Sequence, residues 1–176
     1  MAKQSKVKET LMKDLFSSDE KLVLRSIERT KKHADATFIE PLLLVYKDGS
    51  EPVQEAVDGI LSSLKVSEAE EVLVNALKDE RFDAIQGNIL RYLWSSGFEP
   101  TGELLAIVQV MINGDYMTTF EGFTLIDQFS TALDDDQLMQ SIVELRLKLN
   151  DLGADDERYA LLKTVHDHLD QIEQTQ

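Results

Sequence analysis

The chain contains no cysteine among its 176 residues, so disulfide frameworks, thiolate metal sites and cysteine nucleophiles are all excluded. Turn-forming residues are also scarce, with only 8 glycines and 3 prolines. Strand-rich folds need frequent turn residues and an alternation of apolar and polar residues with period two, and neither occurs in this sequence. These absences predict an all-α fold.

Long hydrophobic runs are missing as well. The longest apolar stretches, such as residues 42–46 and 104–108, are far shorter than the roughly 20 residues that a membrane-spanning helix needs. The basic first 16 residues lack the continuous apolar segment of a secretory signal. Because apolar residues make up 43% of the chain and charged residues 29%, the chain should fold. We expect a single cytoplasmic domain over residues 1–176 with no membrane contact.

Positive charge is in short supply: 18 Lys and Arg stand against 33 Asp and Glu, which gives a formal net charge of −15. Residues 1–48 balance to +2, so the acidic excess lies in residues 49–176, which carry −17. Binding to DNA or RNA requires a basic face that releases counterions, and we therefore expect no nucleic-acid partner. The acidic surface either keeps the protein in solution or complements a basic protein partner, and the sequence leaves both open.

Helical periodicity is present throughout, and it repeats. Residues 38–64 end one amphipathic helix, turn at 47–50 and begin a second helix whose apolar residues are spaced three and four apart. The helix ending then recurs with steps of 31, 35 and 37 residues, starting at Leu42, Leu73, Val108 and Leu145. Helix pairs that recur at this interval and cannot bury their own apolar side are typical of an α-solenoid.

Capping residues predict where the helices begin and end. The predicted caps are Ser17 with Glu20, Ser50 before Pro52, Ser67 with Glu70, Thr101 and the acidic run 134–136 at helix starts, and Gly97 and Gly153 at helix ends. They divide the chain into an N-terminal capping helix in 1–16, about four helix pairs in 17–151 and a C-terminal capping helix in 152–176, which begins near residue 155. The fourth pair is expected to bury Phe120, Phe123, Ile126 and Phe129.

The stretch 38–64 resembles a HEAT repeat, the family of the armadillo-type α-α superhelix. It has a proline early in the helix at Pro41, a Leu-x-x-x-hydrophobic-Lys-Asp ending over 42–48, and a Val-x-x-Ala-Val pattern over 53–57. Asp79 repeats the aspartate of the turn. The resemblance covers about residues 19–96 and becomes weaker over 97–151. It implies an α-α superhelix of about four HEAT-like helix pairs with a capping helix at each end.

The resemblance also implies a non-catalytic scaffold that binds another protein or peptide along a concave groove lined by the second helix of each pair. The repeat register predicts two aligned rows of binding residues, Leu44, Asn75, Val110 and Leu147 in the first and Lys47, Lys78, Asn113 and Asn150 in the second. An apolar row in contact with water suits a docking peptide or helix. In the alternative interpretation, the register slips in the later repeats or a flanking helix covers the row. The first interpretation predicts that Leu44→Asp or Val110→Asp abolishes partner binding and leaves the fold intact.

Patterns for catalysis or metal binding are weak. Of the three histidines, His33, His166 and His168, the last two point in nearly opposite directions on a helix. His166 and Asp170 form an i, i+4 pair with no third ligand nearby, and the acidic clusters at 134–136 and 155–157 lack the glycine and ligand spacing of a calcium loop. We therefore expect no enzyme activity, cofactor or metal.

Two other functions are considered. An enzyme of the HEAT-like DNA glycosylase type would need a basic, aromatic-bearing surface, whereas Tyr92 and Trp94 lie in an acidic chain and are expected to serve packing. A purely structural subunit of a larger assembly would self-associate, whereas a scaffold of this kind is expected to be a monomer. The partner itself is not identified by the sequence.

Overall fold

The computed structural model describes residues 2–31, 35–153 and 155–175, with side chains from Lys6 onward. His33 lies outside the described residues. Within the described ranges all regular structure is helical, as the sequence predicts. The α-helices are α1 (Ala2–Leu15), α2 (Glu20–Thr30), α3 (Ile39–Asp48), α4 (Glu51–Leu61), α5 (Glu68–Leu77), α6 (Gln86–Ser95), α7 (Leu104–Asn113), α8 (Tyr116–Asp127), α9 (Asp135–Asp151) and α10 (Tyr159–Thr175). Single 3-10 turns over Ala36–Phe38, Glu80–Ile85 and Thr101–Glu103 precede α3, α6 and α7.

The chain forms two compact units, unit 1 (Met1–Ala84) and unit 2 (Ile85–Gln176). In unit 1, α1 packs against α2 and α3, α2 packs against α4, and α3 packs against α4 and α5. Helices that are two apart in the chain are therefore neighbours, with α2 and α4 in one layer and α1, α3 and α5 in the other. The core of unit 1 is mainly aliphatic and includes Leu11, Ile27, Leu43, Val57, Leu61 and Leu73, and the aromatic rings of Phe38 and Phe82 are buried as well.

In unit 2, as in unit 1, helices that are two apart in the chain pack against each other. Helix α6 packs against α8, α7 packs against α8 and α9, and α10 packs against α8 and α9. Its layers are α6, α8 and α10 on one side and α7 and α9 on the other. The buried side chains include Ile89, Leu93, Val108, Leu125, Leu145 and Val165.

Helix starts follow the sequence prediction at three places. Asp134 accepts a hydrogen bond from the Gln137 backbone N–H at 3.0 Å and caps α9. Ser50 occupies the predicted position before α4, but its hydroxyl donates to Glu20 and makes no capping hydrogen bond. Pro52 lies in the first turn of α4, where its missing N–H is not needed. Pro41 likewise lies near the start of α3, after a 3-10 turn.

One helix end is also confirmed. Gly97 has a φ of 76°, and the Phe98 N–H bonds the Leu93 carbonyl at 3.0 Å, which is the pattern of a Schellman cap. Glycine adopts this left-handed conformation without a steric penalty.

Both predicted capping boxes are wrong. Helix α2 is capped by Asp19, which accepts from the Lys21 N–H at 3.0 Å, while Ser17 accepts from the Asp19 N–H. Glu20 does not reach back to Ser17, because its carboxylate accepts a hydrogen bond from the Ser50 hydroxyl at 2.6 Å. Ser67 has a helical backbone, and its hydroxyl donates to Glu68 instead of capping α5 with Glu70.

The predicted cap at Thr101 is wrong for a similar reason. Thr101 begins a 3-10 turn, and α7 starts only at Leu104. The Leu105 N–H, one of the free donors at the start of α7, bonds the Gln137 side chain of α9 at 3.0 Å. A tertiary contact therefore supplies the acceptor that was expected from the local sequence.

The prediction that Phe120 belongs to the core of α8 is also wrong, because its side chain is exposed. The buried face of α8 consists of Thr119, Gly122, Leu125 and Ile126. Thr119 donates from its hydroxyl to the Met111 carbonyl of α7 at 3.0 Å, and Gly122 lies directly against the Met111 side chain. These close contacts with α7 set the rotation of α8 and leave Phe120 in solvent.

Helix α10 begins at Tyr159 rather than near residue 155, because an arginine organises the preceding turn. Arg158 makes two hydrogen bonds to the Asp156 carboxylate, at 3.0 and 2.9 Å, and a third to the Gly114 carbonyl at 2.7 Å. It thereby ties the α9–α10 turn to the α7–α8 turn. The hydrogen bonds from Arg158 lower the pKa of Asp156 to about 2, from an ordinary value of 3.8.

This ion pair predicts a pH dependence of stability. Because the pKa of Asp156 is lower in the folded state, its contribution to stability is present above the unfolded pKa of 3.8 and is lost as the pH falls through about 2. The wild type should therefore have a higher urea midpoint than Asp156→Asn at pH 5, and most of the difference should be lost near pH 2. On an Arg158→Gln background, Asp156→Asn should have no such effect. An unchanged difference between pH 5 and pH 2 would contradict the assignment.

Candidate functional site

In unit 1 the predicted binding residues lie on neighbouring helices. Leu44 and Lys47 are on α3, and Asn75 is on α5 with Lys78 directly after it. Leu44 and Lys47 are half-buried, whereas Asn75 and Lys78 are exposed. Lys47 donates from Nζ to the Arg81 carbonyl at 3.1 Å, so this side chain makes a contact inside the unit.

An ion-pair cluster lies beside Asn75. Arg81 binds Asp79 at 2.6 Å and Glu40 of α3 at 2.8 Å, and its guanidinium lies 5.3 Å from the centroid of the Phe82 ring. Hydrogen bonds from Arg81 hold the pKa of Asp79 below its ordinary value. Together with Asn75, these residues surround a cavity of about 170 Å³. The cluster joins α3 to the end of α5, so its charges serve the packing of unit 1.

In unit 2 the predicted residues lie on α7 and α9, which pack against each other. Asn113, Leu147 and Asn150 are exposed, but Val110 is only 8% exposed. The expectation that Val110 faces water is therefore wrong. Helix α7 contacts both α8 and α9, and these neighbours cover most of its circumference, whereas the same register position on α9 has no such cover.

Three large apolar side chains on α9 form the most conspicuous exposed feature of unit 2. Met139 is 57% exposed, Val143 is 51% exposed and Leu147 is 57% exposed. Their i, i+4, i+8 spacing places them along one side of the helix, away from the buried Leu138, Ile142 and Leu145. We call Met139, Val143 and Leu147 the α9 stripe.

Of this stripe, only Leu147 is among the binding residues that the repeat register predicts. The sequence also contains a signal for Met139 and Val143, because α9 has apolar residues at i, i+4 spacing on two of its faces. Helices α7 and α10 can cover only one of these faces. A helix with two apolar faces in a partly covered position predicts an exposed stripe. The repeat register does not predict the whole stripe, because each of its rows contains only one residue per helix.

The α9 stripe belongs to the acidic unit 2. Unit 2 contains five Lys and Arg against sixteen Asp and Glu. Arg158 pairs with Asp156, Lys163 pairs with Asp167 at 2.5 Å, and Arg146 lies 3.7 Å from Asp170. These three cations have acidic partners within the unit, and acidic residues remain in large excess.

His166 and Asp170, which have the i, i+4 spacing of a weak metal-ligand pair, each contact a different residue. His166 Nδ1 lies 3.3 Å from the Asp167 carboxylate, whereas Asp170 accepts from the Gln174 amide at 2.8 Å. Among the residues with described positions, no three His, Asp or Glu side chains are grouped closely enough to hold a metal ion. Nor does any helix in the described part of the chain have the length and apolar character needed to cross a membrane.

No family model matches the chain, and neither the curated proteins nor the solved structures contain a match. Evidence about function therefore comes from the chain's own surfaces, of which the α9 stripe is the clearest in unit 2.

Proposed function

We propose that the chain is a non-catalytic protein-interaction module, built from HEAT-like helix pairs arranged as an α-α superhelix, and that it binds a partner protein through the α9 stripe. The repeat register and the packing of helices two apart within each unit support the repeat architecture. The observation that carries the binding function is the exposure of three large apolar side chains in one row on α9.

The energetics favour a covered stripe. Each of the three side chains leaves about half of its surface in water. Burying that half against a partner would contribute roughly 1 kcal/mol per side chain, because full burial of such a side chain contributes about 1.5–3 kcal/mol. A row at i, i+4, i+8 fits against the apolar face of another amphipathic helix. The partner is expected to be basic, because unit 2 has so few cations.

Tyr92 and Trp94 do not support glycosylase chemistry. Tyr92 is fully buried, and the Trp94 indole N–H donates to the Glu121 carboxylate at 2.6 Å. An enzyme that extrudes a nucleobase needs accessible aromatic or apolar side chains for stacking, together with a basic surface for the phosphates. In unit 2 these two aromatic side chains are already used in packing and hydrogen bonding.

Affinity capture from the native host tests the proposal. Wild type, Val143→Asp and Leu147→Asp would be used as baits, with Gln171→Asp on the exposed side of α10 as the matched control for an added charge. We expect one basic partner to be captured by the wild type and the control and to be lost, by at least tenfold, with both stripe variants. Equal capture by all four baits would show that the α9 stripe is not the binding surface.

Gel filtration of the same four proteins distinguishes the structural-subunit alternative. A monomeric wild type is expected. A wild-type dimer that becomes monomeric in Leu147→Asp would instead assign the α9 stripe to self-association.

A further inference from the structure

Unit 1 contains a cavity of about 390 Å³. Of the predicted binding residues, only Leu44 lines it. It lies where the turn between α1 and α2 meets the turn between α3 and α4. Its apolar wall consists of Leu15, Val23, Leu44, Val45 and Val53, of which all but the half-buried Leu44 are buried. We call this space the unit 1 cavity.

The rim of the unit 1 cavity is polar and acidic. It comprises Phe16, Ser17, Ser18, Glu20, Asp48, Gly49 and Ser50. The Ser50 hydroxyl donates to Glu20 at 2.6 Å, and this bond connects the two turns that form the opening. Among the described lining residues there are two carboxylates and no Lys or Arg, so the opening carries negative charge.

Phe16 gives the rim an unusual feature. Its side chain is 58% exposed, although the next residue towards the N-terminus, Leu15, is fully buried. Exposed aromatic residues beside a pocket are typical of binding hot spots, since they supply contact area at a low cost in conformational entropy. An aromatic ring beside two carboxylates also suits a cation, which the ring face and the negative charge both attract.

We propose that the unit 1 cavity binds a short peptide segment of a partner protein in which a large aliphatic side chain stands beside Lys or Arg. The aliphatic side chain would contact the wall formed by Leu44, Val45 and Val53. The neighbouring cation would lie between the carboxylates of Glu20 and Asp48, next to the ring of Phe16. This site is separate from the α9 stripe, and the proposal does not depend on the one made for that stripe.

Size and charge select this occupant. Pockets for small molecules and cofactors span about 300–1,000 Å³, so the unit 1 cavity is at the lower end and fits one or two side chains better than a whole cofactor. Its acidic opening repels anionic ligands, including the phosphates of nucleotides and of acidic lipid headgroups. The hydroxyls of Ser17 and Ser18 at the rim can bond a peptide backbone.

Titration with three capped tripeptides tests the proposal by ¹H–¹⁵N NMR on the full chain. The probes are KLK, KAK and ELE, each acetylated and amidated. KLK should shift the amide signals around the cavity, those of Ser17, Leu44, Gly49 and Val53, and leave the α9 signals unchanged. KAK should bind roughly tenfold more weakly, since the aliphatic contact is lost. ELE should bind more weakly than KLK because its charges are repelled.

Two variants and a matched control complete the test. The double variant Glu20→Gln/Asp48→Asn should weaken KLK binding roughly fivefold and remove the preference for KLK over ELE. Phe16→Ala, at an exposed position, should also weaken KLK. The control Glu55→Gln/Glu71→Gln removes the same charge from exposed positions outside the cavity and should bind KLK like the wild type. Equal binding of KLK and ELE to the wild type, shifts centred elsewhere, or equal losses in the charge variant and its control would overturn the proposal.

Discussion

Val110→Asp is expected to disrupt the packing of α7 and destabilise unit 2 rather than to block a binding surface. Val110 is only 8% exposed and lies on a helix that contacts both α8 and α9. An unpaired carboxylate at such a position costs about 3–5 kcal/mol, which is a large part of the stability of a typical domain. The fluorescence of Trp94, the single tryptophan, reports the change, because its indole is bonded to Glu121 between α6 and α8.

Leu147→Asp is the matched control, because it places the same charge at the corresponding register position of α9. Leu147 is 57% exposed. The urea midpoint of Leu147→Asp should therefore correspond to a decrease of about 0.5 kcal/mol or less in the free energy of unfolding. The two substitutions thus separate stability from binding. If Val110→Asp had the same urea midpoint as the wild type, Val110 would face water, as the repeat register predicts.

Gly122→Ala should destabilise unit 2 by about 1–3 kcal/mol, because it overpacks the contact between α7 and α8. A Cβ atom at Gly122 would lie 2.6 Å from the Met111 sulfur and closer still to its Cγ, while the Leu90 side chain stands 3.5 Å away. The Cγ atom is near the backbone of α7, so the methionine cannot relieve the clash by moving its end alone. The two helices must separate or α8 must rotate.

Gly59→Ala is the contrasting substitution. Gly59 lies inside α4, and a Cβ atom there would meet no other atom within 4 Å. Alanine at this position should stabilise the protein by about 0.5–1 kcal/mol, because glycine carries an entropic cost within a helix. Chemical denaturation of the two variants should therefore give midpoint changes of opposite sign. An unchanged or higher midpoint for Gly122→Ala would show that the tight packing of Gly122 does not govern stability, and a lower midpoint for Gly59→Ala would contradict the open space around Gly59.

Local signals predicted helix ends well where the local sequence also provides the partner. Gly97 and Asp134 both act within one turn of their own helices, so their roles follow from neighbouring residues. The Ser17–Glu20 box and the Thr101 cap failed where a distant residue supplied the partner. Glu20 binds Ser50, thirty positions away, and the Leu105 N–H binds Gln137, thirty-two positions away. Such partners are outside the range of a cap motif.

The candidate sites show the same division. The register placed Leu44, Val110 and Leu147 in one row, and the structure puts them in three environments: the wall of a cavity, a buried core and an exposed stripe. Spacing along a helix specifies which residues share a face. It does not specify whether another helix covers that face.

The helical character of this protein follows from the sequence alone, because periodicity, capping residues and the scarcity of turn formers act over a few positions. Contacts between distant parts of the chain bury Val110, leave Leu147 and Phe120 in water, and form the open cavity between the α1–α2 and α3–α4 turns. The physical reason is that burial depends on which neighbour lies across from a side chain, and those neighbours are far away in the chain.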